Sequence, residues 1–316
     1  MLSGGNLMNY ITIDGGTTNT RISLVQNREI IQTEKLNIGA RASIDSKELL
    51  KNGIKEAITK ILADNNLSES QIECILASGM ITSEFGICPL EHIATPAGIN
   101  ELHNNMHKTY IQEISGIPFI FIRGVKTNCE NIDSADMMRG EETELMGIIN
   151  LEYGKCIYIL PGSHSKIIET DDSGRITDFS TMLTGEMIAA LSKETILKDA
   201  VDLSVSEVNS KYLLMGYDYS KKAGINKALF KVRILKNIFK CSKEEVYSFF
   251  MGAVLYGEID QVIKSNAKTV VLGGKTQIKN AMAEILRNKD DKKIVLLDEN
   301  TVDNSTSLGM IRIYEN

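Results

Sequence analysis

Three short stretches gather residue types that handle phosphate. In YITIDGGTTNTRISLV, residues 10–25, an apolar strand ends in Asp14 and turns through Gly15, Gly16, Thr17, Thr18 and Asn19 before a second apolar strand begins. Glycines permit a tight turn and let backbone N–H groups approach an anion, and the Thr and Asn side chains add short donors. Asp14 would repel phosphate. Its use would be to hold Mg²⁺, directly or through water, and so neutralise a transferring group. In LPGSHSK, residues 160–166, Gly162, Ser163, Ser165 and Lys166 could contact phosphate, with His164 as a further donor. In VVLGGKTQIKN a buried strand ends at Gly273, Gly274 and Lys275 and a helix follows. That geometry favours a ligand at the carboxyl end of the strand, a flat ring or ribose lying close to the backbone. Each stretch alone also reads as a plain hairpin, a structural histidine or an ordinary strand-to-helix turn. Two phosphate-type turns, one at the head of each half, are harder to assign to chance. The chain has neither GxxxxGK[ST] nor a fully spaced GxGxxG, which excludes a P-loop and argues against a dinucleotide fold.

The elements that must position these turns follow from hydrophobic spacing. YITID, TRISLVQ and REIIQTEKLN read as three successive strands. From Ser46 to Asn65 the residues Leu49, Leu50, Ile54, Ala57, Ile58, Ile61 and Leu62 recur at three and four, an amphipathic helix. IECILASG reads as a buried strand ending in Gly79, and a helix is expected to begin near Asp136 in ADMMRGEETELMGIINL. KCIYILPGSHSKIIETDDSGRITDFSTML then repeats the opening order: strand, Gly-containing turn, strand, turn, strand. Helical patterns run from Glu186 to Lys264, followed by the strand AKTVVLGG, a helix to Arg287, the strand KKIVLLD and a helix from near Ser305. The stretch VYSFFMGAVLYG is read as core, with Gly252 and Gly257 allowing close packing, and NKALFKVRILKNIFK as a solvated helix with a basic face.

The bulk numbers fit two domains of an α/β enzyme, and the division expected is residues 1–146 and 147–316. The 316 residues, 43% of them hydrophobic, suffice for a large core. A net charge of −6 suggests neither a nucleic-acid partner nor a membrane surface and suits a small molecule. Five scattered cysteines, with no CxxC pair, read as reduced and mostly buried thiols of a cytoplasmic protein. No stretch approaches the ~20 apolar residues of a membrane span. Met8 reads as a functional start after a short lead, and with only 4 prolines the two lobes should be joined by structured elements that hinge.

In order, these segments resemble the superfamily that groups actin, heat-shock chaperone ATPases and sugar kinases. Within it, MRGEETELMG at 138–147, LPGSHSK at 160–166 and TMLTGEM at 181–187 closely resemble the 2-dehydro-3-deoxygalactonokinase family, which reads like MRGEETQLIG, MPGTHCK and VMTGE there. ASGMITSEFG, ALFKVR and FFMGAVLYGEI extend the likeness over most of the chain. The opening departs: relatives tend to carry an aromatic residue where Gly15 stands, DWGSTN in place of DGGTTN.

The resemblance implies an actin-like ATPase (ribonuclease H-like) fold of two lobes, each a mixed sheet flanked by helices, with the active site in the cleft. It implies transfer of the γ-phosphoryl of ATP, with Mg²⁺, to the 6-hydroxyl of 2-dehydro-3-deoxy-galactonate. Asp14 is expected to hold the metal, and Thr17 and Thr18 to contact phosphate. Arg139, at i, i+3 from Glu142 on the expected helix, suits the substrate carboxylate, and Glu141 or Glu142 could serve as base or hydroxyl ligand. The bland reading is a surface ion pair, against which Gly140 argues, since Gly weakens a helix interior by ~1 kcal/mol. Thr184 reads as the cap of a helix whose first turn holds Gly185 and Glu186, and Gly79, Met80 and Ser83 as a sugar-side loop. Asp136 and Glu186 are further candidates for the base. Two other readings stay open: a kinase for another sugar acid or a hexose, and a non-catalytic sugar or nucleotide sensor. A homodimer is left open as well.

Overall fold

The opening hairpin forms as its residue pattern dictates. In the computed structural model, which describes residues 8–40, 47–274 and 276–316, β1 (Asn9–Gly15) and β2 (Thr20–Gln26) pair antiparallel with Gly15 opposite Thr20. β3 (Glu29–Leu36) continues the meander and alternates exposed and half-buried residues, as suits a sheet margin. α1 (Lys47–Asp64) lays Leu50, Ile54, Ala57, Ile58 and Ile61 on the sheet, the face its spacing predicts, except that Leu49 is exposed. β4 (Cys74–Gly79), buried throughout, runs parallel to β1. Then come β5 (Ile93–Ala94), α2 (Ile99–Asn104), β6 (His107–Thr109), β7 (Phe119–Phe121), β8 (Val125–Lys126), β9 (Met137–Met138) and α3 (Glu141–Ile148). The resulting six-stranded sheet has the order β3-β2-β1-β4-β7-β6, and β5, β8 and β9 form a small separate sheet.

The second half rebuilds the same scheme. β10 (Cys156–Leu160) and β11 (Ser165–Thr170) form a hairpin, and β12 (Ile176–Met182) extends it. Helices α4 (Thr184–Glu194), α5 (Ser210–Ala223), α6 (Ile225–Asn237) and α7 (Lys243–Lys264) follow. β13 (Thr269–Leu272) then pairs parallel with β10, and after α8 (Thr276–Lys289) comes β14 (Lys293–Leu296). The sheet order β12-β11-β10-β13-β14 places a parallel strand beside the first strand of a hairpin, as β4 lies beside β1. The apolar residues of α7, among them Val246, Phe249, Phe250 and Leu255, form the core with Ile157 and Ile159.

By contacts the chain divides into two compact units. The first holds residues 1–151, 173–178 and 300–316, and the second 152–172 and 179–299. The first unit is completed by α9 (Glu299–Tyr314), which begins before the Ser305 that the sequence suggests. Its early residues are polar and carry no apolar repeat, whereas its later ones bury Met310, Ile311 and Ile313.

Three other expectations change. The helix expected from Asp136 begins at Glu141, because Met137 and Met138 pair with β8 and Gly140 adopts a φ of 114°, outside the helical region. Only Gly252 of the α7 glycines lies against another helix, on the Leu213 carbonyl of α5, while Gly257 has open space beside it. Of the cysteines, all free, Cys74 and Cys156 are buried and Cys129 is exposed. The short lead before Met8 lies outside the described residues.

Helix α9 meets α3 without room for side chains between them: a Cβ at Gly309 would overlap the Thr143 carbonyl oxygen, and one at Gly147 the Ser305 carbonyl. Gly309→Ala is therefore expected to cost about 2 kcal/mol or more and to lower the melting temperature by about 4–8 °C, read by calorimetry; an unchanged melting temperature would mean the crossing is looser than drawn.

Candidate functional site

In the first unit three segments converge at the carboxyl ends of β1 and β4. Register sets Asp14 beside Ser78 and Gly15 beside Gly79 on the parallel strand, with Arg21 across the hairpin from Asp14. The Arg21 Nε lies 3.8 Å from Asp14 Oδ2. Burial lifts the Asp14 carboxyl above its ordinary value, Arg21 pulls against that, and Glu141 adds to it. The turn beyond is closed by Gly16 N–H donating to the Asn19 carbonyl at 2.9 Å and tied to the following segment by Ala40 N–H on the Gly16 carbonyl. Thr17, Thr18 and Asn19 stand exposed, and their backbone N–H groups meet no acceptor among the described residues. Gly15 is packed on the next loop: a Cβ there would lie 2.8 Å from Ile81 Cβ and 2.9 Å from the Ile81 nitrogen. In this chain Ile81 thus occupies the space beside Gly15 that a side chain there would need.

The third segment is MRGEE, which is not wholly helical. The Arg139 guanidinium donates to the Thr82 carbonyl at 2.7 Å, the Thr82 hydroxyl at 2.6 Å and the Leu90 carbonyl at 3.1 Å, and reaches His92 Nδ1 at 3.3 Å. Burial, then the Arg139 charge, press His92 down to about 4, so the ring is neutral at pH 7, and because a guanidinium can only donate, Nδ1 is the acceptor in this contact. The expected pairing of Arg139 with Glu142 along a helix is replaced by this clamp on the loop after β4, because Arg139 precedes the helix. Glu142 is fully buried; both its oxygens accept the Gly140 N–H, at 2.9 and 2.8 Å, and Thr143 Oγ1 adds a bond at 3.2 Å. Ser78 Oγ, 2.6 Å from Thr143 Oγ1, joins β4 to this turn. Glu141 takes the Arg139 backbone N–H on its carboxylate at 3.1 Å. Glu144, which sequence reading passed over, stands one turn on; burial first, then Glu141 and Asp14, push it up to about 8. Gly79, Met80 and Ser83 form a closed turn in which Ser83 Oγ donates to the Met80 carbonyl at 2.7 Å.

In the second unit the GSHSK turn sits on the start of α4. Gly185 N–H donates to the Gly162 carbonyl at 3.1 Å and Glu186 N–H to the Ser163 carbonyl at 3.2 Å. The first turn of the helix is thus engaged by protein carbonyls. With those carbonyls turned to α4, the N–H groups of Gly162, Ser163 and His164 find no acceptor among the described residues. Thr184 is not the cap: Leu183 holds that position and Thr184, buried, is the first helical residue. His164 Nε2 lies 3.1 Å from Glu186 Oε1. Lys166 is buried, its Nζ on the His164 carbonyl at 3.4 Å. The Gly273–Gly274 turn follows β13, with Gly273 N–H on the Ile159 carbonyl at 2.9 Å and Gly274 packed against Pro161. Lys275 lies outside the described residues.

The chemistry open to these groups is anion binding by turn N–H groups and cation binding by crowded carboxylates. Among the described residues no three His, Cys, Asp or Glu side chains are placed to coordinate one metal ion. Asp14 could hold Mg²⁺ with water and phosphate oxygens as further ligands, the usual arrangement for that ion with nucleotides. The raised pKa of Asp14 beside Glu141 shows a carboxylate that a cation would relieve.

Glu142 titrates at about 8 against an ordinary 4.5, through burial first and Glu141 second. Because its folded value is raised, the stability it contributes is complete below about 4.5 and is lost as pH rises through about 8. The melting temperature should fall between pH 5 and pH 8.5, and Glu142→Gln, which keeps a neutral group there, should reduce that fall; an equal fall in both proteins would refute the assignment.

Comparison with known proteins agrees with this geometry. The family model of 2-keto-3-deoxy-galactonokinase matches residues 14–312. A 2-dehydro-3-deoxygalactonokinase of Escherichia coli (strain K12) is 26% identical over 269 residues, 84% of this chain and 85% of that one. Among solved structures, a protein from Sinorhizobium meliloti provisionally named a 2-dehydro-3-deoxygalactonokinase superposes with a TM-score of 0.78 at 19% identity, covering 96% of this chain and 97% of that one. The activator of 2-hydroxyisocaproyl-CoA dehydratase from Clostridium difficile, with bound ADPNP, superposes with a TM-score of 0.51 at 14% identity, over 98% and 95%. Hairpins, mixed sheets and family match together place this chain in the 2-keto-3-deoxy-galactonokinase family, sugar kinases and hence phosphotransferases on the actin-like ATPase fold.

Proposed function

We propose that this chain transfers the γ-phosphoryl of ATP to the 6-hydroxyl of 2-dehydro-3-deoxy-D-galactonate, giving 2-dehydro-3-deoxy-6-phosphogalactonate in galactonate catabolism. The observation that carries the reading is the family match over residues 14–312, which takes in both turns whose N–H groups stand unpaired. Phosphoryl transfer requires positioning and charge neutralisation more than covalent chemistry from the protein. The N–H groups and hydroxyls of Thr17, Thr18 and Asn19 would hold phosphate oxygens, as would those of Gly162, Ser163 and His164. Asp14 would hold Mg²⁺, which when bound neutralises the charge developing on the transferred group. The Gly273–Gly274 turn would lie along the nucleoside.

Of the two neighbouring carboxylates, Glu141 is our choice to orient or deprotonate the attacking hydroxyl. Glu142, fully buried with both oxygens engaged, shapes the turn that presents it. Arg139 acts as a positioning residue, fastening the Gly79–Ser83 loop on which the sugar acid would rest, in place of direct pairing with the substrate carboxylate. Thr184 and Glu186 would steady the second turn.

A coupled ADP-release assay with Mg²⁺-ATP against 2-dehydro-3-deoxy sugar acids, aldonic acids and hexoses tests the reading. Selective turnover of 2-dehydro-3-deoxy-D-galactonate is expected; preference for another acid or a hexose would replace the substrate, and no turnover of any would favour a sugar or nucleotide sensor. In the active protein Asp14→Asn should lower kcat by about 10²-fold or more while KM for the sugar acid changes much less, because the charge it supports develops mainly in the transition state. A rise in KM with kcat intact would count against that role.

A further inference from the structure

Helix α7 carries a carboxylate that the mechanism above does not use. Glu258 is only 3% exposed, and neither of its carboxyl oxygens has a hydrogen-bond partner. Ser165 Oγ, fully buried at the first residue of β11, is also without one. The polar groups that bear on the Glu258 carboxyl are the hydroxyls of Thr184 and Ser165, with no Lys, Arg or His among them. Burial pushes the carboxyl up from its ordinary value, so a bare carboxylate there is disfavoured. An uncompensated buried charge costs several kcal/mol, and orphaned polar atoms that face one another call for something between them. A proton on Glu258 would remove the charge, with the Thr184 and Ser165 hydroxyl oxygens as the acceptors open to its O–H, whereas a cation would take the oxygens of all three residues at once. A lone water would leave the charge unbalanced.

We propose that Glu258, Ser165 and Thr184 form an interior site for one monovalent cation, potassium or sodium, beneath the Gly162–His164 turn. One carboxylate balances one positive charge, and hydroxyl and carboxylate oxygens suit a hard ion; a divalent ion in the interior, without the phosphate oxygens that would complete a site at Asp14, would need further carboxylates for balance. The position gives the ion a purpose. Ser165 follows His164 directly, and Thr184 precedes Gly185, whose N–H holds the Gly162 carbonyl. An ion bridging Ser165, Thr184 and α7 would fasten both feet of the turn to the longest helix of its unit. The site is separate in residues and in chemistry from the one proposed at Asp14, and stands whether or not the turn above it binds phosphate.

Diffraction from the full chain crystallised with thallium(I) in place of potassium and sodium decides the matter. An anomalous peak among Glu258, Ser165 and Thr184 is expected, and its absence overturns the proposal. In solution, replacing choline chloride by potassium or sodium chloride at equal ionic strength should raise the wild-type melting temperature by about 2–4 °C, the larger rise naming the preferred ion. Glu258→Gln, close in shape and uncharged, should show no such discrimination. An infrared carboxylic-acid band at neutral pH that is present in the wild type and lost in Glu258→Gln would mean that a proton holds the site, and would also overturn it.

Discussion

Parallel pairing of a hairpin's first strand with a later strand is the constraint from which both halves of the molecule follow. β1 accepts β4 as β10 accepts β13, each pair buried between helices and therefore built from near-continuous apolar runs. In-register pairing makes the strands end level. Whatever stands at the end of one strand is then neighbour to whatever stands at the end of the other, Asp14 to Ser78 in the first unit and the Leu160–Pro161 bend to Gly273 in the second. Function-bearing residues accumulate there because the backbone beyond a strand end is released from the ladder and its N–H groups can turn to a ligand.

The electrostatics of the two units differ. In the first, burial and the neighbouring Glu141 lift the carboxyls of Asp14, Glu142 and Glu144, with Arg21 as a partial counterweight at Asp14 and Glu144. Such a group of acids is costly to keep empty-handed and gains most from a cation brought in with a nucleotide. In the second unit the Glu258 carboxylate is buried, and among the described residues no cationic side chain bears on it. On the readings proposed above, one region would take a charge that comes and goes, the other one that stays.

Local pattern carried much of this architecture. The hairpins, the α1 face, the buried strands and the core character of α7 follow from apolar spacing and turn residues, all short-range properties. What escaped depends on contacts between distant segments. Gly140 reads as a weak helix residue until β9 is seen pairing with β8, which leaves the glycine as the bend ahead of Glu141. Thr184 looks like a cap because the carbonyls that take the α4 N–H groups come from Gly162 and Ser163, over twenty positions earlier. Arg139 looks free for a ligand until Thr82 and Leu90 are folded against it. Glu144 had a sequence signal, its three-residue spacing from Glu141; Glu258 had none, being one acid in a long helical run.

The division of the first unit has a consequence for how the chain is made. Its sheet is contributed by early residues, but α9, whose Met310, Ile311 and Ile313 fill its interior and whose Gly309 rests on α3, is translated after the whole of the second unit. During synthesis the second unit, residues 152–172 and 179–299, is complete once Glu299 has emerged, while the first waits with α3 uncovered until the ribosome delivers α9. The half that emerges first is thus the half that finishes last, and the apolar surface it shows in the interval is a natural place for a chaperone to bind.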